Sequence, residues 1–411
     1  MTGKAWGRSD LQRMVLLAAC TALGPLSLNV YLPSVPAVQA EFQVDLAGVQ
    51  ATVSLALLAF GIGLVLLGPI ADRYGRRPAL LVGLALFIAG SGLGCLATGV
   101  GALTLARMVA ALGAAMTFIT SRAVVADLTP RDQLQRSVAQ ITLIMLVGQM
   151  TAPILGNFVI AAGGWRAIQL AQFLVGLALL GLVWRRIAET LPEQTRAVAQ
   201  GAAGFSGLLG PSVALLRRPR FLLLMAQVGL LYSAYPAFVT LAPHLMIEAF
   251  HRPMTEYSYY FICLPLGYFL GNWAVLRFGQ QLGQHRLVLI GSVFGALSAL
   301  LSLLLLASGV WHPLALFLPA GTLLNLGMGL ALPSVSARAV GESWPSTASG
   351  WGLVGFAQQL IAAISVQMLG FFPSTSPFPV VAVCLALTLV TFLMECLPQI
   401  ANPAPAATRP P

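Results

Sequence analysis

The stretch Gly68-Pro69-Ile70-Ala71-Asp72-Arg73-Tyr74-Gly75-Arg76-Arg77-Pro78 decides the fold, because it is a short charged segment between two long uncharged ones. Asp, Glu, Lys and Arg are absent from the 26 residues Leu46 to Ala71 and from the 29 residues Pro78 to Ala106. About 20 apolar residues are enough for a helix to cross the roughly 30 Å hydrocarbon core of a bilayer. The stretch is therefore predicted to be a tight turn at a membrane surface, and its three arginines predict the cytoplasmic side.

The composition of the whole chain is that of a polytopic membrane protein. Its 411 residues are 58% hydrophobic and 8% charged, with a mean hydropathy of +0.86, whereas soluble domains carry about 25% charged residues. The net charge of +10 does not indicate a nucleic-acid partner, because all but three of the 22 Lys and Arg residues lie in tails and loops predicted to be cytoplasmic. The exceptions are Arg107, Arg166 and Arg252. The five cysteines show no metal-ligand spacing, and neither a metal nor a cofactor is predicted.

The uncharged segments and their breaks predict an all-α membrane protein with twelve transmembrane helices in two pseudo-symmetric six-helix bundles. The helices are here called spans 1 to 12 and lie at about 14–35, 47–69, 78–98, 101–124, 137–160, 167–184, 221–243 and 257–276, with spans 9 and 10 in 287–337 and spans 11 and 12 in 343–394. The predicted parts are a cytoplasmic tail (1–13), an N-terminal bundle (14–186), a cytoplasmic linker (187–219), a C-terminal bundle (220–397) and a disordered tail (398–411). Both termini are predicted to be cytoplasmic. The turn from Arg277 to Arg286 occupies in the second half the place of Gly68 to Pro78 in the first. It keeps Gly and Arg but lacks the Asp, which indicates a decayed internal repeat.

The order of Gly68, Asp72 and Gly75-Arg76-Arg77 between two early spans resembles the cytoplasmic signature of the major facilitator superfamily. A positive-inside turn without a mechanism is the alternative, although such a turn needs no acid. Other segments resemble the drug-resistance branch of that superfamily named for bicyclomycin and chloramphenicol. They are Tyr31-Leu32-Pro33, Arg107 with Ala111 and Gly113, Ala152-Pro153 with Gly156, Glu189-Thr190-Leu191-Pro192 and Gly355-Phe356-Ala357-Gln358. The resemblance implies two bundles around a central cavity and the export of small amphipathic compounds, usually in exchange for protons.

One departure from that branch bears on the substrate. The branch commonly has Asp two residues before the Tyr of span 1, taken to carry the proton, and this chain has Asn29. None of the 12 acidic residues lies in the middle of a predicted span, whereas Arg107 lies within span 4. Because a cationic compound in a low-dielectric cavity needs a carboxylate partner, we expect neutral or anionic substrates.

The expected function is secondary active export of an antibiotic or an endogenous metabolite such as a siderophore, by proton antiport with alternating access. The expected setting is a bacterial inner membrane, with a monomeric chain in contact with lipid, a small-molecule substrate and the proton. The alternative is an importer or uniporter of a small organic anion without proton coupling. An enzyme is not expected, because the sequence has no phosphate-binding loop, metal cluster or intramembrane pair of carboxylates.

Three groups of residues are predicted to carry the transport function. A cytoplasmic latch comprises Gly68, Asp72, Arg73, Gly75, Arg76, Arg77 and Asp127. A substrate cavity is lined by Asn29, Tyr31, Arg107, Gln227, Tyr232, Tyr235 and Gln358. A bend in span 5 involves Pro153 and Gly156.

Each group has a structural alternative. The latch residues can be solvated surface charges, worth well under about 1 kcal/mol. Arg107 can be a fixed charge bonded to helix carbonyls or to Asn29. The tyrosines can be membrane-interface anchors, and Gly and Pro are ordinary residues of membrane helices.

Overall fold

The structure of the chain is a computed structural model that describes residues 8–128, 134–191, 210, 212–343, 347–373 and 375–397. Some helical side chains are not described within these ranges, among them Gly68 and Asp72. Most of the predicted linker and the whole C-terminal tail lie outside the described residues. The chain divides into two compact units, Met1–Leu208 and Leu209–Pro411.

The described residues of the first unit form six α-helices. They are α1 (Arg8–Tyr31), α2 (Val35–Phe42), α3 (Leu46–Tyr74), α4 (Arg76–Cys95), α5 (Val100–Leu128) and α6 (Leu134–Arg186). α6 breaks at Gly163 and Gly164, whose torsion angles are not helical, and so contains both span 5 and span 6. α1 starts earlier than the predicted Met14, because Arg8 to Arg13 contain no helix-breaking residue.

Local signals explain where the first helices begin and end. After α1 the chain forms a short 3-10 turn, Leu32–Ser34. Pro33 and Pro36 occupy first-turn positions of that turn and of α2, where their missing N–H groups are tolerated. α2 ends at Gln43, which adopts a left-handed conformation. The carboxylate of Asp45 then accepts the N–H of Gly48 at 2.8 Å and caps α3.

From Pro219 to Glu395, the described residues of the second unit form seven α-helical segments. They are α7 (Pro219–His244), α8 (Met254–Phe261), α9 (Cys263–Ala307), α10 (Leu314–Pro319), α11 (Asn325–Gly341), α12 (Thr347–Leu369) and α13 (Phe378–Glu395). Single π-helical turns follow α7 and α10. α9 breaks at Gly283, which has φ 75° and ψ 157°, and so contains span 9 and the greater part of span 8.

Eleven segments of the described residues are long and apolar enough to cross a membrane. Because one of them holds the break at Gly163 and Gly164, this number is consistent with the predicted twelve. Large apolar side chains lie exposed on the helices, for example Leu276 at 83%, Phe158 at 73% and Leu304 at 68%. Such exposed apolar area fits a surface covered by lipid. The predicted fold class, an all-α membrane protein, is confirmed.

Glycines set the closest helix contacts in both units. A Cβ atom on Gly113 of α5 would meet the backbone of Gly83 in α4, and one on Gly327 of α11 would meet the backbone of Gly291 in α9. Membrane helices commonly pack through small residues in this way. Spans 3 and 4 of the first unit thus have counterparts in spans 9 and 10 of the second. We call the end of each unit that carries the Gly75 or Gly283 turn its basic end.

Candidate functional site

Arg107 is buried inside the first unit, with 6% of its surface exposed. Its Nε donates to the backbone carbonyl of Thr52 in α3 at 3.0 Å. Its guanidinium carbon lies 3.5 Å from the ring centroid of Tyr31, the last residue of α1. The Tyr31 hydroxyl and the Thr52 hydroxyl are hydrogen-bonded at 3.0 Å. We call Arg107, Tyr31 and Thr52 the Arg107 site, which joins three helices.

The charge of Arg107 is not neutralised by an acid within the described part of the chain. No carboxylate there lies at ion-pair distance from the guanidinium, and neither terminal nitrogen has a protein hydrogen bond. A carbonyl dipole and an aromatic face supply only partial negative charge. Burial of an unpaired cation is costly, so this site favours a ligand that brings negative charge or hydrogen-bond acceptors.

Asn29 and Gln50 are further polar groups buried in the same unit. Asn29 is 2% exposed and its amide donates to the carbonyl of Pro25 at 3.0 Å. Gln50 of α3 is fully buried, and neither of its amide atoms has a hydrogen-bond partner among the described residues. An unsatisfied buried amide is unusual, so the interior of this unit retains polar groups able to bind further partners.

The turn at the basic end of the first unit is built around Gly75. Its φ of 111° and ψ of 156° lie in a region that is essentially restricted to glycine. A Cβ atom at this position would also meet the carboxylate of Glu189. That carboxylate accepts the backbone N–H groups of Arg76 at 2.9 Å and of Arg77 at 3.2 Å. It thus caps the N-terminus of α4, where negative charge is stabilised.

Glu189 also accepts the N–H groups of Thr190 and Leu191, each at 3.0 Å. Partial burial by itself raises the pKa of the Glu189 carboxyl, but the four backbone N–H groups outweigh this effect and hold the pKa below its ordinary value. The carboxylate therefore remains ionised at neutral pH, fixing the segment after α6 to the start of α4.

Two of the residues predicted for the latch form an ion pair. Arg76 Nε donates to Asp127 Oδ2 at 3.2 Å, and the Thr190 hydroxyl donates to the same oxygen at 3.1 Å. Arg77 donates to the Trp184 carbonyl at 3.0 Å, and its guanidinium lies over the Trp184 ring. Arg73, by contrast, lies over the neighbouring Tyr74 ring. The contacts of Gly68 and Asp72, also predicted for the latch, are not described by the structure.

Pro153 and Gly156 lie buried in the first part of α6, against α1. A Cβ atom on Gly156 would come within 2.6 Å of the Val30 carbonyl oxygen. A Cβ atom on Gly148, two turns earlier, would lie 2.7 Å from the Leu26 side chain. These glycines therefore allow α6 to approach α1 closely. The non-helical torsion angles of α6 occur at Gly163 and Gly164.

Gln227, predicted for the cavity, lies at the basic end of the second unit. It is fully buried, and its amide donates to Glu395 Oε2 at 2.9 Å. Arg338 and His285 bind the same carboxylate. We call Gln227, His285, Arg338 and Glu395 the Glu395 cluster. The structure therefore places Gln227 in an ionic network, apart from the predicted tyrosines of α7.

The tyrosines of α7 belong to a second polar group in this unit. Tyr232 lies close to Gln359 of α12, a neighbour of the predicted Gln358, and to Tyr268 of α9. Tyr235 lies close to Tyr257 of α8. Gln358 is half-buried. Four helices thus contribute polar groups and aromatic faces, which suit binding of small amphipathic molecules.

The sequence matches the Major Facilitator Superfamily over residues 17–366. The chain belongs to this family. It is a multi-pass membrane transporter, as the paired bundles and apolar helices indicate. Among the described residues, no group of three or more His, Cys, Asp or Glu side chains could hold a metal ion.

Relatives of this Major Facilitator Superfamily chain include proteins named for drug resistance. It is 27% identical to Multidrug resistance protein D of Escherichia coli (strain K12), covering 89% of this chain and 90% of that protein. It is 26% identical to the Chloramphenicol resistance protein of Pseudomonas aeruginosa, covering 96% and 93%. It is also 25% identical to the uncharacterized transporter YdgK of Bacillus subtilis (strain 168), covering 90% and 91%.

Solved transporters share the fold at low sequence identity. A peptide transporter crystallised with alafosfalin matches with a TM-score of 0.73 and 17% identity, covering 93% of each chain. The xylose transporter XylE from E. coli matches with a TM-score of 0.71 and 15% identity, covering 96% of this chain and 99% of that one. These likenesses confirm the superfamily fold.

Some residues of these sites were not predicted. Glu189 belongs to a motif that resembles the superfamily, but the motif does not reveal that its carboxylate caps α4. Thr52 belongs to the Arg107 site because its backbone carbonyl accepts a hydrogen bond from Arg107, and a pattern of side chains does not predict such a backbone contact. Glu395 lies at the end of a long uncharged run and outside the middle of every predicted span, and no role was predicted for it. Its full burial depends on contacts with three other helices.

Proposed function

We propose that the chain is a secondary active exporter of small amphipathic compounds, neutral or anionic, working by proton antiport with alternating access. The names of its relatives support export, because two of them denote drug or chloramphenicol resistance. Their similarity extends over nearly the whole of each chain. An antibiotic or an endogenous metabolite such as a siderophore is the expected substrate.

Arg107 carries the proposal on substrate charge. A buried guanidinium without an acidic partner in the described chain repels a cationic drug and attracts a carboxylate, phenolate or nitro group. Its two terminal nitrogens are the donors left for such a group. Tyr31 provides an aromatic face beside them, so the Arg107 site combines charge with an apolar wall.

The basic end of the first unit is proposed to be the cytoplasmic latch. The Arg76–Asp127 pair and the Glu189 cap join α4, α5 and the segment after α6, and opening this end requires these bonds to break. On this proposal the basic end and both termini face the cytoplasm of a bacterium. The chain lies in the inner membrane as a lipid-embedded monomer, with bundles at 14–186 and 220–397.

A second candidate function is import or uniport of a small organic anion without proton coupling. The unpaired charge of Arg107 suits this function equally well, and Asn29 stands where the drug-resistance branch commonly has the proton-carrying Asp. The two functions differ in their response to a proton gradient, which therefore decides between them.

The test is uptake into everted inner-membrane vesicles, with chloramphenicol as a neutral probe, nalidixate as an anionic probe and tetraphenylphosphonium as a cationic probe. Vesicles without the protein are the control. We expect respiration-driven accumulation of the neutral or the anionic probe, abolished by an agent that collapses the proton gradient. Uptake that is unaffected by that agent would favour the second candidate. Accumulation of the cation alone would contradict the role proposed for Arg107.

A further inference from the structure

The Glu395 cluster surrounds the one carboxylate that is fully buried among the described residues. Glu395 is the last residue of α13, and its two oxygens accept four hydrogen bonds. Oε1 accepts from His285 Nδ1 at 2.6 Å and from Arg338 at 2.8 Å. Oε2 accepts from Arg338 at 2.6 Å and from Gln227 at 2.9 Å. One acid thus ties α13 to α7, α9 and α11.

The bonding pattern defines the charge of the cluster. Arg338 contributes one positive charge and Glu395 one negative charge, so the sum is zero when His285 is neutral and donates its Nδ1 proton. The neighbouring charged residues are the exposed Arg286, next to His285 in α9, and the Arg220–Glu342 ion pair at 3.2 Å, which joins α7 to the residue after α11. Besides these, α7 presents Gln227, α13 presents the Thr391 carbonyl, and α12 contains no ionisable residue in its described span Thr347–Leu369. The thiol of Cys396 next in the chain is exposed.

An additional proton has two possible positions in this cluster. On His285 Nε2 it creates an imidazolium beside the Arg338 guanidinium, and the cluster becomes positive. On a Glu395 oxygen it removes an acceptor and displaces one of the four donors. Protonation of Glu395 weakens the bonds that hold the four helices, because those bonds depend on the ionised carboxylate. Protonation of His285 strengthens its own bond to Glu395 but places a second cation beside Arg338.

His285 connects this buried carboxylate with water. Its side chain is 42% exposed, whereas that of Glu395 is 0% exposed. Histidine is the side chain that ordinarily changes charge between about pH 5 and 8. A proton can therefore reach the cluster through the outer nitrogen of His285 while the carboxylate stays shielded.

We propose that the His285–Glu395 pair binds the proton that this transporter exchanges for its substrate. The inference rests on the proposed proton antiport. It supplies a proton-binding site for a chain in which no acidic residue lies in the middle of a predicted span. Proton binding changes the charge of the cluster from zero to positive and so alters the contacts of α7, α9, α11 and α13 at the basic end of the second unit, and proton release restores them. The occupancy of the pair and the packing of these helices are thus coupled.

The variant that tests the proposal is His285→Asn. The Asn amide nitrogen stands close to the position of His Nδ1 and can still donate to Glu395, but it does not titrate. Glu395→Gln is less suitable, because it leaves the Arg338 guanidinium buried without its anion and threatens folding. The matched control is His251→Asn, since His251 lies exposed in a loop with φ 52°, a conformation that Asn tolerates well.

Purified proteins in liposomes are assayed with chloramphenicol in two ways, by exchange without a pH gradient and by accumulation under an imposed one. We expect His285→Asn to keep exchange within about twofold of the parent but to lose gradient-driven accumulation to the level of empty liposomes. The control variant should retain both. Normal accumulation by His285→Asn would overturn the site but not the antiport. Failure of the parent to respond to the gradient would overturn the antiport.

A substrate-free measurement checks the same site. Nitrogen-15 NMR of histidine-labelled protein, assigned by comparison with His285→Asn, reports the state of each ring nitrogen. We expect Nδ1 of His285 to be protonated at both pH values of the transport gradient and Nε2 to be protonated at the acidic one. A ring that stays neutral at both pH values would overturn the proposal whatever the substrate.

Discussion

Arg107 holds its buried charge with one backbone carbonyl and one aromatic ring, and two of its nitrogens stay available. We expect Arg107→Ala to reduce chloramphenicol accumulation in everted vesicles to the level of vesicles without the protein. The loss follows from removal of the donor group rather than from misfolding, so the amount of protein in the membrane should not change. An immunoblot of the same vesicles checks this point.

Two conservative variants sharpen the prediction. Arg107→Lys keeps the charge but cannot both bond the Thr52 carbonyl and stack on Tyr31, so partial activity is expected. Tyr31→Phe keeps the ring and removes only the hydrogen bond to Thr52, costing about 1 kcal/mol of stability with little loss of transport. Undiminished transport by Arg107→Ala would identify the residue as a fixed structural charge.

Glu189 gives the first unit an acid-sensitive contact. Because four backbone N–H groups lower its pKa from the ordinary value of 4.5, its stabilising effect is complete at neutral pH. The effect is lost as the pH falls below that value through the folded-state pKa. We expect Glu189→Gln to lower the melting temperature at neutral pH, and the difference from the parent to shrink toward about pH 3. A difference that does not vary with pH would show that the carboxylate charge is not what holds the turn.

The contact between α1 and the first part of α6 depends on residues without side chains. Gly156→Ala places a methyl group against the Val30 carbonyl, a backbone atom that cannot move aside. We expect a loss of about 1 to 3 kcal/mol, as for other overpacked contacts, measured as a lower melting temperature in detergent. Gly148→Ala should cost less, because it meets the flexible Leu26 side chain.

Gly181→Ala in the same long helix is the matched control. A Cβ atom there meets nothing within 4 Å, so the melting temperature should be unchanged or slightly higher, since Ala favours helix more than Gly. Equal losses for Gly156→Ala and Gly181→Ala would contradict the packing argument and indicate a general effect of helix composition.

The helices themselves were predictable from the sequence, whereas their side-chain partners were not. The spans can be located from uncharged runs and the breaks between them, because the thickness of the bilayer sets the length of a span. One such break is Trp311-His312-Pro313, which lies between α9 and α10. Gln227 and Glu395 lie 168 residues apart, and nothing in either local pattern indicates their contact. The same holds for Glu189 and the start of α4. Side-chain partners across a bundle depend on helix rotation, which apolar residues on every face do not reveal.

The internal repeat is preserved more fully than a comparison of the two turns suggests. In the first unit, Glu189 after α6 binds the start of α4, and Asp127 at the end of α5 pairs with Arg76. In the second unit, Glu395 at the end of α13 binds His285 just after the Gly283 turn and Arg338 near the end of α11. In each unit, an acidic residue that follows the sixth span accepts hydrogen bonds at the basic end. The acid missing from the second turn does not leave that end without negative charge.

The same comparison yields a prediction about the two turns. Gly75 and Gly283 both have backbone angles restricted to glycine, at φ 111° and 75°, so alanine should cost about 1 to 3 kcal/mol at either position. Gly75→Ala carries a further penalty, because its Cβ would displace the Glu189 carboxylate from the α4 cap, whereas nothing lies within 4 Å of a Cβ on Gly283. Gly75→Ala should therefore lower the melting temperature more than Gly283→Ala does. In the background of Glu189→Gln, which weakens the cap by itself, the gap between the two alanine variants should narrow. If the two single variants had equal melting temperatures, glycine would be required at position 75 only for its backbone conformation. The space that it leaves for the Glu189 carboxylate would then not matter.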